Sequence, residues 1–460
     1  MTALWTAKAL AAATGGEAIG DFIVDGVAFD SREVGPGDLF VALKGEQSDG
    51  HRFVDNAVAA GAAAAVVSSP IATPHLLVAD TTQALNDIAI AARARVDAKI
   101  IGVTGSVGKT GTKEALYAAL NRASHGHAHR SVKSYNNHVG VPLSLSRMPA
   151  DTAFGVFEMG MNHAGELSAL TQLVKPDVAI ITAIAPAHIE YLGSIEAIAD
   201  AKAEIFEGLM PGGTAIIPAD SPQYLQLRKA AARFTDNIVA FGFDASADVR
   251  AVDIVPALGG GSLVTAEIGP SKLCFTVAEP GRHWVSNALA ILAAVDAAGS
   301  DLASAGLALA ELQGIAGRGA RHDIVLADGG TALLIDESYN ANPVSMAAAL
   351  DQLAQQPAKG RRIAILGAMG ELGDHAERYH HELGEQLAKS NIDLAILVGD
   401  NMRWAAEASH PVETQLCSDT AAALAELQAE LGAGDVVLIK GSNYLGLGRI
   451  VEALRREIVA

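Results

Sequence analysis

At 460 residues the chain exceeds what one hydrophobic core organises, so two or three domains are expected. Half its residues are hydrophobic, and a formal net charge of -19 argues against a nucleic-acid partner, because duplex binding needs a basic face. Two widely separated cysteines, Cys274 and Cys417, and alanine-rich runs broken by charges predict a cytoplasmic protein without integral membrane association.

Residues 1–97 read as a small α/β unit, with strands at 39–43, 63–68 and 76–79 and a helix at 51–61. Its polar segment runs Asp30-Ser31-Arg32-Glu33-Val34-Gly35-Pro36-Gly37-Asp38, followed by Asp49-Gly50-His51. Pro36-Gly37 marks a turn, and Asp49 suits a helix cap. On residue types alone, a structural loop and a binding loop stand level.

The chain then presents Ile100-Ile101-Gly102-Val103-Thr104-Gly105-Ser106-Val107-Gly108-Lys109-Thr110. An apolar strand, a glycine turn, Lys-Thr and a helix with Leu116, Ala119 and Leu120 on one face form a phosphate cradle. Glycines let backbone N–H groups converge on phosphate oxygens, and the helix N-terminus adds partial positive charge. Residues 104–110 are therefore candidate nucleotide contacts: Thr104, Gly105, Ser106, Val107, Gly108, Lys109 for the β/γ-phosphates and the Thr110 hydroxyl for Mg²⁺. The strict pattern has glycine five residues before Gly108, where this chain has Val103. A structural turn carrying a chance Gly-Lys-Thr is the alternative, which the flanking strand and helix disfavour.

Strand–helix alternation from residue 98 to 314 predicts a mostly parallel sheet, whose ligands gather at the carboxyl ends of its strands. Glu158 ends the run 154–157, His188 follows the apolar run 177–184, and Asn136-Asn137 lies in a loop. Each alone suits a cap or a solvated position; a shared edge with the phosphate loop makes Glu158 and His188 candidate metal ligands. Lys202 falls on the apolar face of a helix expected over 195–209, where it must snorkel, pair or be chemically altered. Gly259-Gly260-Gly261 breaks the pattern, 262–277 reads as a small antiparallel addition, and 284–298 as a helix. A linker is expected at 314–319, carrying Arg318.

Residues 315–460 resume the alternation, with strands at 332–336, 362–366, 394–398 and 436–440, as a doubly wound domain. Asp336-Glu337-Ser338-Tyr339-Asn340-Ala341-Asn342-Pro343 and Lys440-Gly441-Ser442-Asn443 fall at strand ends. Polar clusters so far from the phosphate loop suggest a site closed between domains. His380-His381 reads as a solvated helix face.

Together these motifs resemble the Mur ligase family along essentially the whole chain. The loop Gly-x-Thr-Gly-x-x-Gly-Lys-Thr is the form used by those ATP-dependent amide ligases, which accounts for Val103. The Asp-Ser-Arg…Pro-Gly-Asp-Leu-Phe segment with Asp-Gly-His looks like their UDP-substrate domain. Asn-Asn-x-x-Gly-x-Pro and Tyr-Asn-Ala-Asn-Pro look like members that join D-alanyl-D-alanine to UDP-N-acetylmuramoyl-tripeptide in peptidoglycan synthesis. His283-Trp284 departs from the His-Asn of many members, with Asn287 still in place.

The resemblance implies an α/β chain of three domains: a small N-terminal UDP-substrate domain, a central P-loop ATPase domain and a C-terminal doubly wound domain. It implies ATP and Mg²⁺, an acyl-phosphate route and a monomer. Lys109, Glu158, His188 and Lys202 would be catalytic, with Thr110, Glu158 and His188 at the metal. Asn287 and Asn340 would contact adenine, and Arg318 with Asp336 would grip the nucleotide. Ser31, Arg32, Asp49, His51, Asn137 and Asn342 would meet substrate, and Lys202 would be carbamylated. A ligase adding a single amino acid, or a P-loop NTPase without ligase activity, is the alternative.

Overall fold

The computed structural model describes residues 3–45, 48–258, 260–327 and 329–456, so Gly259 of the expected breaker lies outside the described residues. Those residues form sheets of two, five, nine and six strands. The five-stranded sheet belongs to the N-terminal unit, with Asp38–Val41 and Ala64–Val67 side by side in parallel. Asp49 caps the next turn as expected, but that turn is a 3-10 helix, Gly50–Phe53, which leads into a shorter α-helix, Val54–Ala59.

The nine-stranded sheet carries Lys99–Thr104 between Phe154–Glu158 and Val178–Ile181, all parallel. Buried Val and Ile side chains face helices on both sides. Leu116, Ala119 and Leu120 pack one face, and Leu170, Ile198 and Phe206 the other. The antiparallel pair Ser262–Ile268 and Ser271–Val277 is present, but it extends this same sheet through Val249–Pro256. The helix expected over 195–209 is α-helical only over Ile195–Ala203, then tightens into a 3-10 turn, Glu204–Gly208. There the Glu204 carboxylate turns back to accept from Gly165 N and Ser168 N.

The six-stranded sheet is parallel except for Ala320–Val325, an antiparallel edge strand that sequence periodicity missed, as it missed the opposite edge, Glu413–Cys417. Both edges are partly solvated and lack the continuous apolar run of the inner strands. Val436–Lys440, last in sequence, inserts between Thr331–Glu337 and Arg362–Gly367, so the polar ends at Glu337 and Lys440 meet side by side at one edge. The His380-His381 expectation is half wrong. His381 is on the surface, but His380 is buried, accepting from Met369 N and bonding Ala376 O.

Candidate active site

Parallel register brings the chemistry-bearing residues to one edge: Glu158 sits opposite Val103, and Thr104 opposite Ile181. The glycine loop is pinned from the neighbouring strand. Ser106 N donates to Ala183 O at 2.8 Å, Ser106 Oγ to Ala185 O at 2.9 Å, and Thr182 Oγ1 to Val107 O at 2.5 Å. Gly108 has φ +86°, and a Cβ there would also lie 2.8 Å from Asn287 Oδ1. Glycine is required on both counts. The helix Lys109–Ala123 begins with no side-chain cap, leaving its first-turn N–H groups directed at the loop.

Lys109 Nζ donates to Gly105 O at 2.7 Å. Burial lowers its pKa; Glu158 and Glu371 oppose that shift and Arg318 reinforces it. The fully buried Glu158 accepts from Thr110 Oγ1 at 2.9 Å and from Asn136 Nδ2 at 2.8 Å. Ser134 Oγ stands 3.4 Å from Thr110 Oγ1. This hydroxyl–carboxylate pair beside the phosphate loop fits Mg²⁺, a hard cation that takes one or two protein oxygens and fills its shell with water and phosphate oxygens. Among the described residues no three His, Cys, Asp or Glu side chains gather as a metal site.

His188 faces the same cavity from a left-handed backbone position, φ +62°. Its Nδ1 lies 2.5 Å from Glu371 Oε2 of the third domain, without hydrogen-bond geometry. The His188 ring lowers the Glu371 pKa. Glu371, itself at φ +59°, is a site residue that sequence reasoning missed; it lies in the short loop after an inner strand, flanked by glycine, with no motif to mark it.

The cavity, about 390 Å³, is walled on the other side by the third domain. Arg318, Asn340 and Asn342 all line it, and the Arg318 guanidinium lies 4.3 Å over the Tyr339 ring. Lys440 Nζ ties Glu337 at 3.2 Å to Asn340 O at 3.0 Å. Asn342 caps the helix Pro343–Gln355. Asn287 lines the cavity beside Gly108. Trp284 packs against Gly111, where a Cβ would fall 2.7 Å from its ring, so the Trp departure serves helix packing at the cavity wall.

Other expected residues lie off the cavity wall. Asp336 spends its carboxylate on Gly317 N at 2.7 Å, Ser338 N and Ser338 Oγ, which holds the Arg318 segment rather than facing the cavity. Asn136, not Asn137, reaches the cavity; Asn137 Oδ1 accepts from Val139 N and Gly140 N. Thr104 is fully buried, with no hydrogen-bond partner for its hydroxyl among the described residues. Ser31, Arg32, Asp49 and His51 stay with the N-terminal sheet, where Arg32 pairs with Asp30 and His51 with Asp49. Lys202 is buried, with no hydrogen bond or ion pair to its amine among the described residues. Burial and the nearby Lys109 charge hold its pKa well below the ordinary lysine value.

Three family models match the chain: "Mur ligase family, catalytic domain" over residues 23–110, "Mur ligase middle domain" over 103–295 and "Mur ligase, glutamate ligase domain" over 320–443. The chain is 35% identical to the UDP-N-acetylmuramoyl-tripeptide–D-alanyl-D-alanine ligase of Escherichia coli, covering 95% of each. Its structure is similar to that of MurF from Acinetobacter baumannii, with TM-score 0.84 and 33% identity over 98% of this chain and 99% of that one. MurF from Thermotoga maritima in complex with ADP matches with TM-score 0.77 and 28% identity, over 95% and 98%.

Proposed function

The chain belongs to the Mur ligase family, and from that premise we propose that it joins D-alanyl-D-alanine to a UDP-N-acetylmuramoyl-tripeptide, using ATP, in peptidoglycan-precursor synthesis. The observation that carries this is full-length similarity to a ligase of that name, in a chain with a Lys109–Glu158 cavity between two domains. The ADP complex of the Thermotoga relative supports ATP as phosphoryl donor.

In this reaction the tripeptide carboxylate attacks the γ-phosphorus, the bond to ADP breaks, and an acyl phosphate forms. The dipeptide amine then attacks the acyl carbon, the C–O bond to phosphate breaks, and the amine proton leaves to solvent. No protein nucleophile is needed, so positioning and charge neutralisation are the chain's share. Residues 105–110 cradle the phosphates, with Lys109 against the transferring group. Thr110 and Glu158, with His188 nearby, are the residues that would hold Mg²⁺, which supplies charge neutralisation on phosphate oxygens. Asn287 and Asn340 meet adenine, Arg318 meets the nucleotide from the third domain, and Asp336 orients Arg318. Ser31, Arg32, Asp49, His51, Asn137 and Asn342 serve the UDP-linked substrate and acceptor. Lys202, a buried amine whose pKa burial and the Lys109 charge lower, in its neutral form adds carbon dioxide and loses a proton to become a carbamate anion on the metal side. The domains divide at 1–97, 98–314 and 315–460, and the protein acts as a cytoplasmic monomer. No helix among the described residues is long and apolar enough to cross a membrane.

Phosphate release across a panel of UDP-muramoyl substrates and amine acceptors tests it. Release is expected only with the tripeptide substrate and D-alanyl-D-alanine together. Hydrolysis of ATP alone would mark an NTPase, and acceptance of a single amino acid but never the dipeptide a different branch of the family.

A further inference from the structure

We propose that Glu33 is a positioning residue that couples the UDP-substrate segment of the first domain to the Thr110–Glu158 pair of the central one. Glu33 follows Ser31 and Arg32 directly, and its backbone N–H bonds Asp30 O at 2.9 Å. Its carboxylate leaves its own domain. One oxygen, Oε1, accepts from Lys133 Nζ at 2.6 Å and from Tyr135 Oη at 2.9 Å. Phe29, at the other end of the same segment, sets its ring 5.6 Å from that of Tyr135.

The loop so gripped, residues 131–136, reaches the phosphate chemistry at four points. Ser131 Oγ accepts from Glu158 N at 2.9 Å, and Asn136 Nδ2 donates to Glu158 Oε1. Ser134 Oγ neighbours Thr110 Oγ1, and Gly160 N bonds Asn136 O at 2.8 Å. The fully buried Lys113, one turn into the phosphate-loop helix, donates to the Lys133 carbonyl. Lys133 itself holds φ +48°, a costly backbone for a non-glycine residue, which persists only where its surroundings fix it. Because Glu33 and Ser31 share one tight turn, a ligand ordering that turn orders Glu33, and through Lys133 and Tyr135 the groups around Glu158.

An exposed ion pair by itself contributes little stability, so Glu33 is not explained as a fold element. Its value is the coupling, which thermodynamics requires to be reciprocal.

This rests on the reading that the Ser31–Arg32 segment takes a uridine diphosphate. The test uses uridine diphosphate itself, which lacks the peptide carboxylate that meets ATP, so direct contact between ligands drops out. Calorimetry on the whole chain measures ADP–Mg²⁺ affinity with and without saturating uridine diphosphate, then the converse. The expected result is a mutual tightening of about fivefold or more in the wild type, abolished in Glu33→Ala and reduced in Tyr135→Phe, which removes one hydroxyl. Glu33→Gln, which retains an acceptor for Tyr135, should keep part of it. Each ligand alone should bind these variants nearly as it binds the wild type. Undiminished coupling in Glu33→Ala and Tyr135→Phe, or none in the wild type, overturns the proposal. Failure of uridine diphosphate to bind the wild type at all would instead sink the substrate reading, and the proposal with it.

Discussion

The central domain meets its two neighbours in different ways. At the first junction Trp5, 4% exposed, donates Nε1–H to Ser146 O at 2.8 Å, with the Arg95 guanidinium 3.8 Å over its ring. Arg95 also donates to Met148 O at 2.6 Å, and Arg93 to Val174 O and Lys175 O. Val96 and Ala98 are buried, so the chain crosses between the two domains as a packed segment. At the second junction, Glu190 meets Glu371–Gly373 beside the His188–Glu371 contact, Glu279 approaches Gly319, and the cavity opens between the two domains. Even the expected linker is partly claimed, since Gly317 N and Gly319 N both bond Asp336 and travel with the third domain. Half-buried arginines donating to backbone carbonyls resist sliding more than the sparser contacts beside the open cavity do. The contrast predicts motion between the central and third domains, near Gly314.

The largest test of this contrast is Trp5→Ala. Loss of a buried indole and its hydrogen bond should destabilise the protein by about 3–5 kcal/mol in urea unfolding. A change below 1 kcal/mol would show that the first junction is not a docked interface. Lys109→Ala, on the open side, should leave stability unchanged while removing about 3–4 kcal/mol of transition-state stabilisation, a 10²–10³-fold loss in phosphate release. Near-normal turnover would put ATP elsewhere.

Lys202→Ala should lose activity and regain part of it with short-chain carboxylic acids, because a small carboxylate replaces a carbamate but not an ammonium. Lack of rescue, with density for a bare amine in bicarbonate-supplied enzyme, would exclude the modification. Label pairs read by pulsed dipolar spectroscopy should then separate the junctions. First-to-central distances should stay fixed and central-to-third distances should shorten when an ATP analogue and the tripeptide substrate bind. Equal shifts at both would erase the contrast.

The smallest effect concerns Glu279, buried where the central domain approaches Gly319 and Glu337. Burial raises its pKa from 4.5 to about 7, with Arg321 opposing and Glu337 reinforcing the shift. The folded protein thus holds a proton that the unfolded chain has released between those values, so its contribution is full below pH 4.5 and is lost as pH rises through 7. Glu279→Gln should flatten the stability profile across that window by at most about 1.4 kcal/mol per pH unit. An unchanged slope would mean that this carboxylate is ionised and solvated.

Local chemistry written in the sequence was legible without coordinates. Gly105 and Gly108 need backbone that side chains resist, the Leu116–Leu120 stripe has helical spacing, and inner strands such as Leu394–Val398 are apolar throughout. Glu158 and His188 could be set at one edge because parallel strands align their carboxyl ends. What the sequence left open depends on partners distant along the chain. Glu371 acquires meaning only when the third domain sets it against His188, and Glu33 only when Lys133 and Tyr135 arrive from the next domain. His380 read as solvated because its helix is polar nearby, until Met369 supplied a buried donor. Asn136 and Asn137 are the same residue type side by side, and only loop geometry sends one to Glu158 and the other to a turn. Periodicity and backbone preference act within one element, so they survive in sequence. Side-chain pairing across domains is a property of the packed chain, and only tertiary structure decides it.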